Sequence, residues 1–116
     1  MEISKIATSK PLSDVLLANG VDRKTADMFY PIDGSSFPEV CDNGDNMQSD
    51  YIAWSLDALI NLLTGWDVCF HFEDHLWYCQ CYRRVGRERE AIQQCDVGKI
   101  ESICRVIIFL KQRGDL

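Results

Sequence analysis

Two segments in which apolar and polar residues alternate, 66–73 and 76–83, constrain the fold of this chain more than any other feature. Alternation on either side of a short polar link, here Asp74 and His75, predicts a β-hairpin. A loop of two or four residues would give one wholly apolar face, made by Val68, Phe70, Phe72, Trp77, Cys79 and Cys81. The opposite face would carry Asp67, Cys69, His71, Glu73, Tyr78, Gln80 and Tyr82. Because register follows the cleaner apolar face, we expect this even loop, with the apolar face buried beneath helices.

A three-residue loop would shift the register and bring Cys69, His71, Cys79 and Cys81 together. Thiolate and imidazole groups bind zinc, so that register would create a metal site. It would also place Gln80 among the buried phenylalanines, which disfavours it. In the even register, Cys69 and His71 stand about 7 Å apart along one strand, beyond hydrogen-bond reach for a thiolate–imidazole pair. We therefore expect no metal, no cofactor and no catalytic residue.

Two helices are predicted from the capping residues at their starts and the stop signals at their ends. The first spans residues 10–19, with Ser9 as N-cap and Asn19-Gly20 as a left-handed stop. The second follows the N-cap Ser55 and ends at Thr64-Gly65. Its apolar stripe has helical spacing and consists of Leu56, Leu59, Ile60 and Leu63.

The last helix is predicted from Val97 to Gln112, with Asp96 as N-cap and Gly114 just past its end. Apolar residues cover most of its girth, namely Ile100, Ile103, Cys104, Val106, Ile107, Ile108, Phe109 and Leu110. A helix of this kind is covered on more than one side. It therefore lies either in the middle of the domain against the sheet or partly against a second chain.

Shorter extended segments are predicted at residues 28–30, 37–41 and 88–94, with turns at 33–36 and 84–87 and a polar loop at 42–50. Within that loop, Asp42-Asn43-Gly44-Asp45-Asn46 lacks the ligand spacing of an EF-hand, so we expect a surface turn there. This order of elements predicts a single α+β domain over residues 1–116. Its two layers are an antiparallel sheet of three to five strands and two or three helices packed on one face.

The charged residues are segregated along the chain. Residues 25–82 contain ten Asp or Glu and no Lys or Arg, whereas residues 1–24 sum to +1 and residues 83–116 to +3, which gives the net charge of −6. A strongly negative surface disfavours binding to a phosphate backbone and favours a basic or polar partner.

The six cysteines are Cys41, Cys69, Cys79, Cys81, Cys95 and Cys104, and none of them forms a C-x-x-C pair. The N-terminal residues show no secretory signal, so we expect a reducing, cytoplasmic compartment in which most of these thiols are small core residues. No apolar run approaches the roughly 20 residues that span a bilayer, so we expect no membrane partner.

Residues 51–63, a strand led by Trp66, the run Trp77-Tyr78-Cys79 and a closing helix that ends at residues 108–111 form a recognisable pattern. Over residues 50–113 the chain resembles a group of small uncharacterised proteins encoded by bacterial phages, prophages and mobile elements. The shared motifs are packing motifs. The resemblance implies a small cytosolic accessory protein and brings no catalytic residues.

The function that these observations favour is a non-enzymatic protein-binding module. Its expected contact residues are His71, Tyr78, Tyr82, Arg83, Arg84 and Arg87, and its partner is another protein or a second copy of the chain. One alternative is a metal- or small-ligand-binding domain centred on Cys69, His71 and Cys81. The other is a nucleic-acid accessory factor that uses the basic turn, with Arg83, Arg84, Arg87 and Arg89. No phosphate-binding G-x-G-x-x-G or G-x-x-x-x-G-K-[ST] motif is present.

Overall fold

The hairpin over residues 66–83 forms the first two strands of a three-stranded antiparallel sheet. The computed structural model describes residues 6–31, 38–40 and 51–116. Its helices are α1 (Lys10–Ala18), α2 (Leu56–Leu62) and α3 (Lys99–Arg113). Its strands are β1 (Met28–Phe29), β2 (Glu39–Val40), β3 (Ile52–Ala53), β4 (Asp67–Glu73), β5 (Leu76–Val85) and β6 (Glu88–Asp96). This is the expected α+β fold, with its strands divided between two small sheets.

The main sheet has the strand order β4-β5-β6, and its first turn sets the register. Glu73 pairs with Leu76, so the β4–β5 loop has only two residues. Those residues, Asp74 and His75, have positive φ angles of 53° and 65°, as a type I′ turn requires. The prediction of an even loop is confirmed, but the expectation that the whole apolar face is buried is wrong: Phe72, next to the turn, is 54% exposed and lies outside the core cluster that Val68 and Phe70 contact. The β5–β6 turn also has two residues, Gly86 and Arg87. It is shorter than the turn predicted at 84–87, because Arg84 and Val85 are still paired within the sheet.

Helix α3 packs on one face of this sheet. The strand residues Cys79, Cys81 and Ile92 belong to the same buried cluster as the apolar stripe of α3, formed by Ile100, Ile103, Cys104, Val106, Ile107 and Leu110. On its other side α3 contacts α1 and α2. Of the two expected placements, the structure therefore shows the first, with α3 in the middle of the domain. Phe109 is the one large apolar side chain of α3 that stays exposed, at 38%.

The predicted start of α3 is wrong by two residues. Asp96 is the last residue of β6, and the N-cap of α3 is Gly98, which offers no side-chain cap. The Asp96 carboxylate instead accepts hydrogen bonds from the Val97 N–H at 2.7 Å and from Arg105 Nε at 2.6 Å. Asp96 pairs with Trp77 across the sheet, and that long-range pairing keeps it in the strand. The helix ends, as predicted, before Gly114, whose φ is 86°.

The predicted caps of the first two helices are confirmed. Ser9 Oγ accepts from the Leu12 N–H at 3.3 Å, and Ser55 Oγ accepts from the Ala58 N–H at 3.2 Å. Asp27 adds a further hydrogen bond at the start of α2, because its Oδ1 accepts from the Ser55 N–H at 2.8 Å. Each cap satisfies an amide that the helix leaves unpaired.

The second sheet has the order β2-β1-β3 and packs near the start of the chain. Strands β1 and β2 fall within the predicted extended segments, whereas β3 is not predicted. Thr8 ties this region together: its Oγ1 accepts from the Trp54 N–H at 3.0 Å, and its carbonyl accepts from the Tyr30 hydroxyl at 2.8 Å. The predicted turn at 33–36 and the polar loop at 42–50, with its calcium-like run, lie outside the described residues.

Candidate interaction surface

The main sheet has one face that no helix of the described residues covers, and we call it the open face. Its residues are Asp67, Cys69, His71 and Glu73 of β4, Leu76, Tyr78, Gln80, Tyr82 and Arg84 of β5, and Arg89, Ala91, Gln93 and Cys95 of β6. The three helices all contribute to the core cluster on the other side of the sheet. The strand register therefore gathers these side chains on one continuous surface.

Contacts between side chains connect residues of the open face. Between β5 and β6, Gln80 Nε2 donates to Gln93 Oε1 at 2.7 Å, and within β5 the Tyr82 hydroxyl donates to Gln80 Oε1 at 3.3 Å. The His71 and Tyr78 rings lie with centroids 6.2 Å apart. Such cross-strand pairs stabilise a sheet and reduce the freedom of the side chains involved. The ring side chains therefore present a preorganised surface.

The two ends of the open face have opposite charge. Glu73 lies at the end next to the Asp74-His75 turn, and Arg84 and Arg89 lie at the other end. These two arginines are directly opposite each other, and among the described residues neither forms an ion pair with a carboxylate. The Arg89 guanidinium stacks 4.6 Å from the centre of the Tyr82 ring. Like charges directly opposite each other destabilise a sheet, so a negatively charged group bound at this end would be stabilising.

Arg83 does not share the open face with the other predicted contact residues. Because side chains alternate along β5, it points to the helix-covered face, where its guanidinium lies 4.4 Å from the centre of the Trp66 ring. It also forms ion pairs with Glu90 at 3.2 Å and with Asp115 at 3.7 Å. Arg83 is therefore occupied by contacts within the chain, whereas Arg84 and Arg87 are exposed.

The register also separates the groups that a metal site would need. Cys69 and His71 are exposed on the open face, whereas Cys79 and Cys81 are fully buried on the helix-covered face. Within the described ranges, no cluster of three or more His, Cys, Asp or Glu side chains has a metal-binding arrangement. The ligand set of the metal alternative, Cys69, His71 and Cys81, is therefore divided between two faces.

Two buried thiols, Cys79 and Cys104, have a raised pKa, whereas the hydrogen bond with Cys79 lowers the pKa of Cys81. Cys79 and Cys81 have their sulfur atoms 3.8 Å apart, and that contact together with burial raises the pKa of Cys79. Burial raises the pKa of Cys104 as well. A protonated thiol is a weak nucleophile. On the open face, His71 Nε2 lies 3.1 Å from Glu73 Oε2, so the imidazole is engaged by a carboxylate.

A groove of about 420 Å³ lies beside the exposed edge of α3 and is not predicted by the sequence. Leu12, Cys104, Ile108 and Phe109 supply its apolar lining. The ion pair between Arg105 and Asp96 lies on its rim. Contacts between α1, β6 and α3 create this groove, and no local pattern in the chain could have indicated it. The sequence reasoning also missed Gln93 and Ala91, because only the β5–β6 register assigns them to the open face.

Comparison of the chain with protein-family models, curated proteins and solved structures finds no match. The resemblance to phage and mobile-element proteins therefore stays a prediction. None of the helices in the described part of the chain has the length and apolar character needed to cross a membrane.

Proposed function

We propose that this chain is a non-enzymatic protein-binding accessory module of the phage or mobile-element type and that the open face is its contact surface. The observation that carries the proposal is the two-residue β4–β5 turn, which brings His71, Tyr78 and Tyr82 together on a face that the described helices leave uncovered. Tyrosine and arginine are the residue types enriched at the centres of protein interfaces.

The composition of the open face supports binding more than simple solvation. Antiparallel sheets often leave one face in water, and polar residues then occupy that face. The open face has no lysine and instead combines aromatic rings with Arg84 and Arg89. Its central side chains are held by the Gln80–Gln93 hydrogen bond, which lowers the entropy lost when a partner binds.

The state of the thiols supports a role without catalysis. The raised pKa values of Cys79 and Cys104 keep both thiols protonated, and neither is exposed to a substrate. Cys69 is exposed, but His71 lies two residues further along the same strand, about 7 Å away and beyond hydrogen-bond reach. A nucleophilic mechanism needs a thiolate with an adjacent base, and these contacts do not provide one.

A photo-crosslinking experiment tests the proposal. Benzoylphenylalanine is introduced in place of Tyr78 on the open face, and in a matched control in place of Val15, which is 43% exposed on α1. We expect an adduct of one defined mass from position 78 in expressing cells and none from position 15. Mass spectrometry of the cross-linked peptide identifies the partner, and Tyr82→Ala should abolish the adduct. Equal labelling at both positions, no adduct, or an adduct that Tyr82→Ala leaves unchanged would contradict the proposal.

A nucleic-acid accessory function is the second candidate, favoured by the exposure of Arg84, Arg87 and Arg89 around one two-residue turn. Glu88 lies within the same turn region, and the net charge of −6 opposes approach to a phosphate backbone. A mobility-shift assay at low salt tests it. Retention of RNA or DNA at about micromolar protein that falls steeply with added salt would support this candidate. The absence of any shift would remove it.

A further inference from the structure

We infer that the partner of the open face is a second copy of this chain, packed face to face about a two-fold axis. The axis crosses the three strands along the row Cys69, Gln80 and Gln93, whose members pair directly with one another. The inference rests on the proposed function, because it uses the same surface and names its occupant.

The register makes the open face self-complementary about this row. Tyr78 and Tyr82 lie on β5 at equal distances on either side of Gln80. On β4, His71 and Asp67 lie at equal distances on either side of Cys69. An axis across the strands reverses the strand direction of the second copy, so Tyr78 of one copy meets Tyr82 of the other. In the same way His71 meets Asp67 of the second copy, which pairs a ring nitrogen with a carboxylate.

Charge selects this orientation over the alternative. Glu73 and Arg84 lie at about the same distance from the central row, roughly 13 Å for four residues of strand, but at opposite ends. With the axis across the strands, Arg84 of each copy faces Leu76 of the other, and Glu73, which pairs with Leu76, lies one strand away, about 4.8 Å to the side. With the axis along the strands, Arg84 would instead meet Arg84. The two-fold arrangement across the strands therefore supplies the negative charge that the opposed Arg84 and Arg89 pair lacks within the chain.

The size of the surface sets the expected strength. Three strands about 4.8 Å apart and about 26 Å long give a projected area on the order of 400 Å² per copy. About 800 Å² in total is below the standard size of specific protein interfaces, and contacts of this size are weak or transient. We therefore expect a weak monomer–dimer equilibrium, with a dissociation constant on the order of 100 µM, sensitive to salt.

Sedimentation equilibrium of the purified chain, from about 5 to about 500 µM, tests the inference by charge reversal. Glu73→Arg and Arg84→Glu should each weaken dimerisation about tenfold at low salt, because each creates a like-charge contact. The double variant carrying both changes should restore dimerisation to within about threefold, because the pair is re-formed with exchanged signs. A matched control, Asp14→Arg on α1, should leave the dissociation constant unchanged. A chain that is monomeric throughout, or a double variant no better than the single ones, would overturn the inference.

Cross-linking at the axis gives a second measurement. Cys69 lies on the central row and should face Cys69 of the second copy, whereas Cys95 lies one row away and should not face its own equivalent. In a variant with Cys41 and Cys95 replaced by serine, a short bis-maleimide should join two copies through Cys69, and Arg84→Glu should suppress this product. In a variant that retains Cys95 and carries Cys41→Ser and Cys69→Ser, the same reagent should form no dimer. Equal cross-linking through Cys95 would contradict the placement of the axis.

The two experiments separate this inference from the proposed function. A monomeric chain that still gives a Tyr78 adduct with a different protein in cells overturns the second-copy assignment and leaves the binding function standing. A chain that neither dimerises nor forms an adduct contradicts both.

Discussion

Phe70 of β4 lies directly opposite Cys79 of β5, and this pairing determines the side of the sheet that every cysteine of the hairpin faces. It places Cys79 and Cys81 in the core and leaves Cys69 exposed on the open face. Shifting the register by one residue would move each of these side chains to the opposite face. The same pairing therefore defines both the core and the proposed binding surface.

Thiol accessibility should follow this pairing. Cys69 should react within minutes with a small alkylating reagent in the folded chain, whereas Cys79, Cys81 and Cys104 should react only as the protein unfolds, because all three are fully buried. Peptide mass spectrometry after a short pulse measures each site separately. Adding denaturant should make all four sites react, which serves as the control. Modification of Cys79 as rapid as that of Cys69 in the folded chain would contradict the register.

The Asp74-His75 turn should be improved by glycine. His75 has a φ of 65°, which costs a non-glycine residue about 1 kcal/mol, so His75→Gly should raise the free energy of unfolding by about 0.5–1 kcal/mol. Urea unfolding followed by tryptophan fluorescence measures the change. Gly86→Ala is the control with the opposite expected effect. Gly86 has a φ of 63° and no atom within 4 Å of the position of an added Cβ, so only the backbone conformation is penalised. This substitution should lower the free energy of unfolding by about 1 kcal/mol. A destabilised His75→Gly variant would argue against the type I′ turn.

Thr8 should be one of the most sensitive polar residues of the core. Its fully buried hydroxyl lies 2.7 Å from Ser13 Oγ and accepts from the Trp54 N–H at 3.0 Å. Thr8→Val keeps the shape but leaves that buried N–H without a partner, so it should cost about 1–3 kcal/mol in urea unfolding. Thr8→Ser retains the hydroxyl and should recover the larger part of this loss. A large loss for Thr8→Ser together with little loss for Thr8→Val would show that the methyl group, and not the hydrogen bonds, stabilises this site.

The buried Cys104 thiol should make stability fall in alkaline solution. Burial raises the pKa of Cys104 above its ordinary value of 9.0. The unfolded chain therefore loses this proton at lower pH than the folded chain, so the stabilising effect is complete below about pH 8 and declines as pH rises past 9. Urea unfolding at several values between about pH 8 and about pH 10 should show this decline. Cys104→Val should reduce the slope, and an unchanged slope would contradict the assignment.

Local chemistry in the chain was enough to predict several features. Ser9 and Ser55 cap their helices because a hydroxyl at that position satisfies a nearby amide, and Gly114 ends α3 because it tolerates a positive φ. The register of β4 and β5 was predictable because only one pairing gives an unbroken apolar face, with Phe70 opposite Cys79. These features depend on residues within a few positions of one another, or on a two-residue turn.

Other features depend on contacts between distant parts of the chain. Asp96 has the sequence of a helix cap but remains in β6, because it pairs with Trp77 and binds Arg105. Arg83 has the sequence of an exposed basic turn residue but packs on Trp66 and the carboxylates of Glu90 and Asp115.

The division has a physical cause. Periodicity, caps and turn residues express the preferences of a short segment, so α1, α2 and the β4–β5 hairpin could be predicted from the chain alone. Other features join segments that are far apart in sequence: the residues of β6 on the open face, the pairing of β3 and the Thr8–Trp54 contact. For such contacts, many pairings satisfy the local preferences equally well. Only burial of the whole core selects one of them, and that selection placed Arg84 and Arg89 side by side on a face of the sheet.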